Sequence, residues 1–319
     1  MSYRSKYLTD LAKKYIQEWE KPVLYASLHG SVARGEADQY SDADLTVYLE
    51  GEASAYSMDT YYQGEILQLH IQGGKELPLQ EEITANPWDY RSFIETVIIT
   101  DSAHHYQELT DWAKSYLLSD QGKQQMIKQV KSIVEERSQT AYAFSEQGFD
   151  YAAHIAAAGA WTEAAFLLLF LEKHSVATGA LLPFMEEQYD LTAFQQIISV
   201  PGELTPAKIS LVLREYRDFL RAAGYNHYEL ADLHHGLCEQ KIKRLSDKRQ
   251  YFHTYWQMSG EALGLYFATS RGKVLDHYLS ELPSSLQQNL TTSLFLPLKQ
   301  RQVQALNKLS KKLIEKAIV

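Results

Sequence analysis

The stretch 23–49, VLYASLHGSVARGEADQYSDADLTVYL, constrains this chain more than any other. Val23–Leu28 is an apolar run that reads as a strand and delivers the chain to a small-residue turn at Gly30 and Ser31. Val32–Gly35 reads as a short helix start, a polar loop follows, and Leu45–Leu49 reads as a second strand. Asp42 and Asp44 sit on the lip of that second strand, two residues apart. Side chains at i and i+2 of an extended segment point to the same side, so both carboxylates can face one hard cation. Mg²⁺ takes such carboxylates together with water and substrate phosphates. Gly30 lets the backbone approach a ligand closely. The Ser31 hydroxyl with the N–H groups of a helix start makes a seat for phosphate, and Arg34 adds a fixed positive charge one turn on.

Gly30, Ser31, Arg34, Gly35, Ser41, Asp42 and Asp44 spell G-S-x-x-x-G followed by D-x-D between two apolar strands. This pattern resembles the signature of the polymerase-β-type nucleotidyltransferase superfamily. The spelling GSVARGEADQYSDADL is most similar to antibiotic nucleotidyltransferases such as the kanamycin and lincosamide enzymes. The resemblance implies an α+β protein: a nucleotidyltransferase domain with a mixed β-sheet and helices over 1–103, then an all-α helical domain over 104–319, with a subdivision near 180–250. It implies Mg²⁺-dependent transfer of a nucleoside monophosphate from a nucleoside triphosphate, ATP being the expected donor, to a hydroxyl of a small molecule such as an aminoglycoside. Asp42 and Asp44 would be catalytic and would hold the metal. Gly30, Ser31, Arg34 and Ser41 would hold the nucleotide, with Arg34 also stabilising the leaving pyrophosphate. A glutamate on a helix of the second domain would be the base, and the counterpart here is Glu135 or Glu136. A homodimer whose cleft both chains complete belongs to the same resemblance, and antibiotic resistance would be the biological role.

One position departs from that pattern. Gly51–Ser57 reads as a turn or loop, and Glu65–Gln72 (EILQLHIQ) as the next strand, with Leu67, Leu69 and Ile71 on one face and Ile66, Gln68 and His70 on the other. The superfamily places a third carboxylate on such a strand. The apolar pattern puts Gln68 there, and Glu65 has the wrong parity. An amide ligates weakly and cannot serve as a base. One-metal catalysis, a carboxylate shifted to Glu65, and a domain that binds nucleotide without reacting all remain open. His70 reads as a satisfied polar residue rather than a ligand.

Around this segment the pattern is mostly helical. Ser5–Trp19 has apolar residues at helical spacing and ends at Lys21-Pro22. Pro87–Phe93 precedes a short strand-like run, Thr96–Thr100. Helices are then expected over Tyr106–Leu118, Gln121–Ser145 and Tyr151–His174, the last strongly apolar with a small-residue face at Ala156–Gly159. Met126, Val130, Ile133, Arg137, Ala141 and Phe144 mark the inner stripe of the second of these, placing Glu136 near its edge and Glu135 further toward solvent. Glu163, in the apolar helix, is either a buried structural partner or a site residue. Gly179–Pro183 reads as a linker, and shorter helices follow to the end. His234-His235 point about 100° apart on a helix and make a poor chelate.

Composition narrows the remaining classes. The 319 residues suit two domains, or one with a large extension. The single cysteine, Cys238, allows no internal disulfide and fits a reducing, cytoplasmic compartment. The charged N-terminus does not read as a secretory signal, and the longest apolar run, Ala164–Leu171, is far below the roughly 20 residues of a membrane span. The net charge of −9, with basic residues dense only over Lys241–Arg249, argues against a nucleic-acid partner and suits a cationic small molecule. The functional readings carried forward are the small-molecule nucleotidyltransferase, a nucleotidyltransferase acting on a protein partner, and a nucleotide-binding regulator with weak or no catalysis.

Overall fold

The computed structural model describes residues 1–51, 54–72, 77–189 and 191–318. The chain divides into two compact units, Met1–Gln129 with Leu169–Ala180, and Val130–Leu168 with Leu181–Val319.

In the first unit, helix α1 (Tyr3–Gln17) starts where the Ser2 side chain accepts the Ser5 N–H, a usual way to satisfy an orphan donor. Its buried stripe is Leu8, Leu11, Ala12 and Ile16. The sheet follows: β1 (Val23–His29), the short helix α2 (Gly30–Ala33), β2 (Ala43–Leu49), β3 (Tyr56–Tyr62) and β4 (Glu65–Gln72). Helix α3 (Gln80–Ala85) and a 3₁₀ turn (Arg91–Glu95) lead to β5 (Val97–Asp101). The strand order is β3-β4-β2-β1-β5. Only β2 and β4 run parallel, so the sheet is mixed as expected. Along β2, Ala43, Leu45, Val47 and Leu49 are buried and alternate with Asp44, Thr46 and Tyr48. The apolar face joins Leu28, Leu67, Leu69 and Ile71 and packs against the stripe of α1. The opposite face is polar.

Strand β3 departs from the expectation of a turn or loop over Gly51–Ser57 and no strand between it and Glu65. YSMDTYY exposes Tyr56 and Tyr61, as an edge strand does, and its alternation is weak. Glu52 and Ala53, part of the expected loop, lie outside the described residues. The expected division at 103/104 also differs from the packing. Helix α4 (His105–Leu118) and the first turns of α5 (Asp120–Glu146) belong with the sheet. Lys114 Nζ donates to the Thr96 carbonyl at 2.8 Å, and Gln129 Oε1 accepts the Trp88 N–H at 2.9 Å.

Among its described residues the second unit has helices joined by turns and loops, and no strand. Helix α6 (Asp150–Lys173) spans the boundary between the units. By length and composition it could cross a membrane, but 61% of its most apolar window is buried within the protein. Helix α7 (Thr178–Gln188) replaces the expected linker and accommodates Pro183. There follow α8 (Thr192–Ile198), α9 (Pro206–Ala222), α10 (Asp232–Asp247), α11 (Tyr251–Thr269), α12 (Leu275–Ser280), α13 (Ser284–Ser293) and α14 (Gln300–Ile318). Trp161 of α6 stacks on Phe194 of α8 with ring centroids 3.7 Å apart. The buried Tyr216 and Tyr278 hydroxyls share a 2.7 Å hydrogen bond.

Candidate active site

Strand β1 ends at Gly30, which takes a left-handed φ of +62° at the start of α2. A second contact also favours glycine there. A Cβ on Gly30 would lie 2.1 Å from Asp44 Oδ2, so the carboxylate rests against the bare backbone of the turn. Val32 is fully buried and anchors the short helix, while Ser31 stays partly exposed beside Gly30. Asp42 precedes β2 by one residue, and its Oδ2 is shielded from solvent.

The strand register extends this constellation across the polar face. Asp44 pairs with His29 on β1 and with Gln68 on β4, and Gln68 pairs with Asp59 on β3. Register partners share a face, so His29, Asp44, Gln68 and Asp59 form one row. The next row is Ser27, Thr46, His70 and Ser57. His29 Nε2 is 2.9 Å from Ser27 Oγ, and His70 Nδ1 is 2.8 Å from Ser57 Oγ. Burial pushes the His29 imidazole down to about 4, with His70 adding to the effect. His70, though exposed, is also lowered by partial desolvation, against the opposing field of Asp59. Gln68 Nε2 donates to Asp59 Oδ1 at 3.2 Å. Beyond these rows the same face closes over Tyr25, Tyr48 and Tyr106, which meet edge to face.

Residues 9–99 match the family model of the nucleotidyltransferase domain. This segment is a nucleotidyltransferase domain of the polymerase-β-type superfamily. No curated protein matches the chain. Among solved structures the chain is similar to a nucleotidyltransferase-like protein from Exiguobacterium sibiricum 255-15. Identity is 13%, the match covers 91% of this chain and 88% of that one, and the TM-score is 0.32.

The nucleotidyltransferase domain places the remaining candidates as follows. Arg34 Nη1 donates to Glu95 Oε2 at 2.8 Å and its Nε to Glu36 Oε2 at 2.9 Å, so its charge is already partnered. Glu95, 9% exposed, also accepts from Ser175 Oγ and the Val176 N–H. Ser41 is buried, and its hydroxyl bonds Asp38 Oδ1 while accepting the Asp38 N–H. That hydroxyl shapes the turn leading to Asp42. Gln68 is on the face that the parity of β4 implies, and the register sets it opposite Asp44, whereas Glu65 is held by Arg4 at 2.5–2.6 Å. Asp59 escaped the sequence reading because its strand did. Its signal was the alternation of Ser57, Asp59 and Tyr61 against Met58 and Thr60.

Glu135 and Glu136 are both exposed on α5, in the second unit. The buried stripe of that helix runs through Met126, Val130, Val134 and Ala141 rather than Ile133. At 100° per residue both glutamates lie about 120–140° from its centre, so Glu136 is not at its edge. Glu163 is ion-paired within its own unit: Arg137 Nη2 donates to its Oε1 at 3.2 Å. Gly159 makes room for that arginine, since a Cβ there would fall 2.4 Å from Arg137 Nη1.

A separate group, His234, Cys238 and Glu261, brings its ligand-type atoms within 4.8 Å of one another. Lys241 Nζ lies 3.2 Å from Glu261, and the buried Arg217 lies 3.9 Å from the same carboxylate and 3.3 Å from Cys238 Sγ. Burial would raise the Glu261 carboxyl, but Lys241, His234 and Arg217 outweigh it and hold it far below the usual carboxylate range. A dication would face two resident cations, so this cluster is a buried ion network rather than a metal site.

Proposed function

We propose that the N-terminal domain transfers a nucleoside monophosphate from a nucleoside triphosphate, with ATP the expected donor, to a hydroxyl of a small molecule. The observation that carries this reading is the Asp44 carboxylate seated on Gly30 at the end of β1, inside a nucleotidyltransferase domain. The donor set fits Mg²⁺: Asp42 and Asp44 offer hard carboxylate oxygens. Any side chain at position 30 would fill the space that Asp44 uses. A bound Mg²⁺ would supply Lewis-acid charge to phosphate oxygens. Gly30 and Ser31 would hold the triphosphate tail by backbone N–H and hydroxyl. The acceptor oxygen then bonds to the α-phosphorus, the bond from that phosphorus to the bridging oxygen breaks, and pyrophosphate leaves with the electron pair. The hydroxyl proton must pass to a base. Glu135 and Glu136 are retained as candidates for that role, both being solvent-accessible carboxylates.

Arg34 joins this reading as the residue that fixes the turn through Glu95, and Ser41 as the residue that shapes the loop before Asp42. A cationic, hydroxylated acceptor of the aminoglycoside kind suits a chain of net charge −9, whose field would draw it in. A homodimer completing the acceptor site belongs to the same proposal. Gln68, neutral where a carboxylate is expected, favours one second reading: a domain that binds nucleotide with weak or no catalysis.

The test is pyrophosphate release from each ribonucleoside triphosphate with Mg²⁺ and a panel of aminoglycosides, lincosamides and candidate protein acceptors. Release that requires one acceptor and disappears in D42A and D44A supports the transferase. Saturable triphosphate binding without release under any acceptor supports the second reading. Mg²⁺-dependent triphosphate binding unchanged in the D42A/D44A double variant would end the transferase reading.

A further inference from the structure

We propose that the Gln68 carbonyl oxygen is the third protein ligand of the Asp42/Asp44 metal site, and that Asp59 is the positioning residue that aims it there. This rests on the reading of Asp42 and Asp44 as metal-holding carboxylates.

Three observations on the polar face lead to it. Asp44, Gln68 and Asp59 lie in one register row over β2, β4 and β3, with Gln68 in the middle. Gln68 Nε2 donates to Asp59 Oδ1 at 3.2 Å. Asp59 also acts on His70, its diagonal neighbour, which places its charge on this same face.

An ionised carboxylate accepts hydrogen bonds and cannot donate them, so only the NH₂ end of the Gln68 amide can face Asp59. Turning the amide round would set two acceptors against each other. The amide is planar and its two branches diverge, so with Nε2 committed to the β3 side, Oε1 is directed away from β3. Strand β2 and Asp44 lie on that other side. Side-chain amide carbonyls are ordinary ligands for hard cations, and an outer carboxylate that fixes a ligand's orientation is a common device of metal sites.

Reach decides which of the two residues contacts the ion. Adjacent strands are about 4.8 Å apart, so Gln68 is a neighbour of Asp44 while Asp59 is about 10 Å away across two strand spacings. Metal–oxygen bonds of roughly 2.1 Å do not bridge that span between two aspartates. Asp59 therefore works through Gln68.

The experiment measures Mn²⁺ affinity by electron paramagnetic resonance, with a non-hydrolysable triphosphate analogue, on the full chain. The variants are D44N, Q68M, D59N and the double variant D59N/Q68E, each checked by circular dichroism and thermal unfolding. The double variant exchanges amide and carboxylate across the pair, keeps a hydrogen bond between them and puts a charged oxygen next to Asp44. The expected result is loss of binding in D44N, weakening of about tenfold or more in Q68M and in D59N, and recovery to wild-type affinity or better in D59N/Q68E. Wild-type affinity in Q68M and D59N, with D44N defective, overturns the proposal and leaves the nucleotidyltransferase reading standing. Weakening in D59N that the exchange does not recover, with the fold intact, makes Asp59 merely structural and also overturns it. If D59N does not fold, Q68M and the double variant decide alone. If the wild-type protein itself binds no Mn²⁺ with the analogue, the reading of Asp42 and Asp44 falls and takes this proposal with it.

Discussion

Replacing Gly30 by alanine tests the Gly30–Asp44 contact directly. Two costs add. Alanine at φ +62° is disfavoured by about 1–2 kcal/mol, because its Cβ crowds the backbone in the left-handed region. The new methyl would also stand 2.1 Å from Asp44 Oδ2. Carbon and oxygen need roughly 3.3 Å, so the carboxylate must retreat by about 1 Å. Displacing a partly buried side chain by that much costs about 1–3 kcal/mol more. Gly64 supplies the control. It has φ +88° in the β3–β4 turn and nothing within 4 Å of its virtual Cβ, so Gly64→Ala bears the backbone cost alone, about 1–2 kcal/mol. Urea unfolding of G30A, D44A and G30A/D44A closes a double-mutant cycle. Removing the carboxylate should recover about 1–3 kcal/mol of the G30A cost, read as the coupling between the two sites. Mn²⁺ binding should be lost in G30A and kept in G64A. A G30A protein no less stable than G64A, with zero coupling to Asp44 and normal Mn²⁺ binding, would refute the reasoning.

Other outcomes follow from the same structure. Glu95→Gln should cost about 2–4 kcal/mol in urea unfolding, because Arg34, 19% exposed, loses its main counter-charge; a loss within about 0.5 kcal/mol, typical of a surface site, would show the pair to be incidental. Glu261→Gln should cost about 3–5 kcal/mol, since it leaves Arg217 and Lys241 facing each other in a buried site, and a near-neutral result would point to a different charge arrangement there. Burial lowers the pKa of His154, partly offset by its bond to the Leu296 carbonyl. The unfolded chain therefore binds this proton more readily, so stability is complete above the ordinary imidazole pKa of about 6.5 and is lost as pH falls below it. His154→Gln should flatten the drop in unfolding free energy between pH 7 and pH 5; an unchanged slope would exclude this imidazole as a contributor.

Much of the first domain was legible from local pattern. The alternation along Ala43–Leu49 set which residues face the core, and with it the face that Asp44 occupies. Strand β4 matches its sequence boundaries because Leu67, Leu69 and Ile71 alternate cleanly with polar residues. Edge strand β3 was missed because half of its pattern faces solvent, and with it went Asp59. On α5 the choice between Ile133 and Val134 as the inward residue turned the stripe by one position and misplaced Glu136. Both residues are apolar, so local pattern does not choose between them. Packing did, with Arg137 leaning over Gly159 to reach Glu163.

By itself the sequence determined the strand–turn–strand segment with Gly30, Asp42 and Asp44, and the face of its strand on which the neutral Gln68 lies. Those features depend on residue types a few positions apart, which periodicity and turn chemistry read directly. Tertiary structure alone decided that Asp44 touches Gly30, that Asp59 stands beside Gln68, and that Arg34 is spent on Glu95. Residues 34 and 95 are far apart along the chain, and pairings between distant strands and loops are set by the register and packing of the whole sheet, which no local window contains.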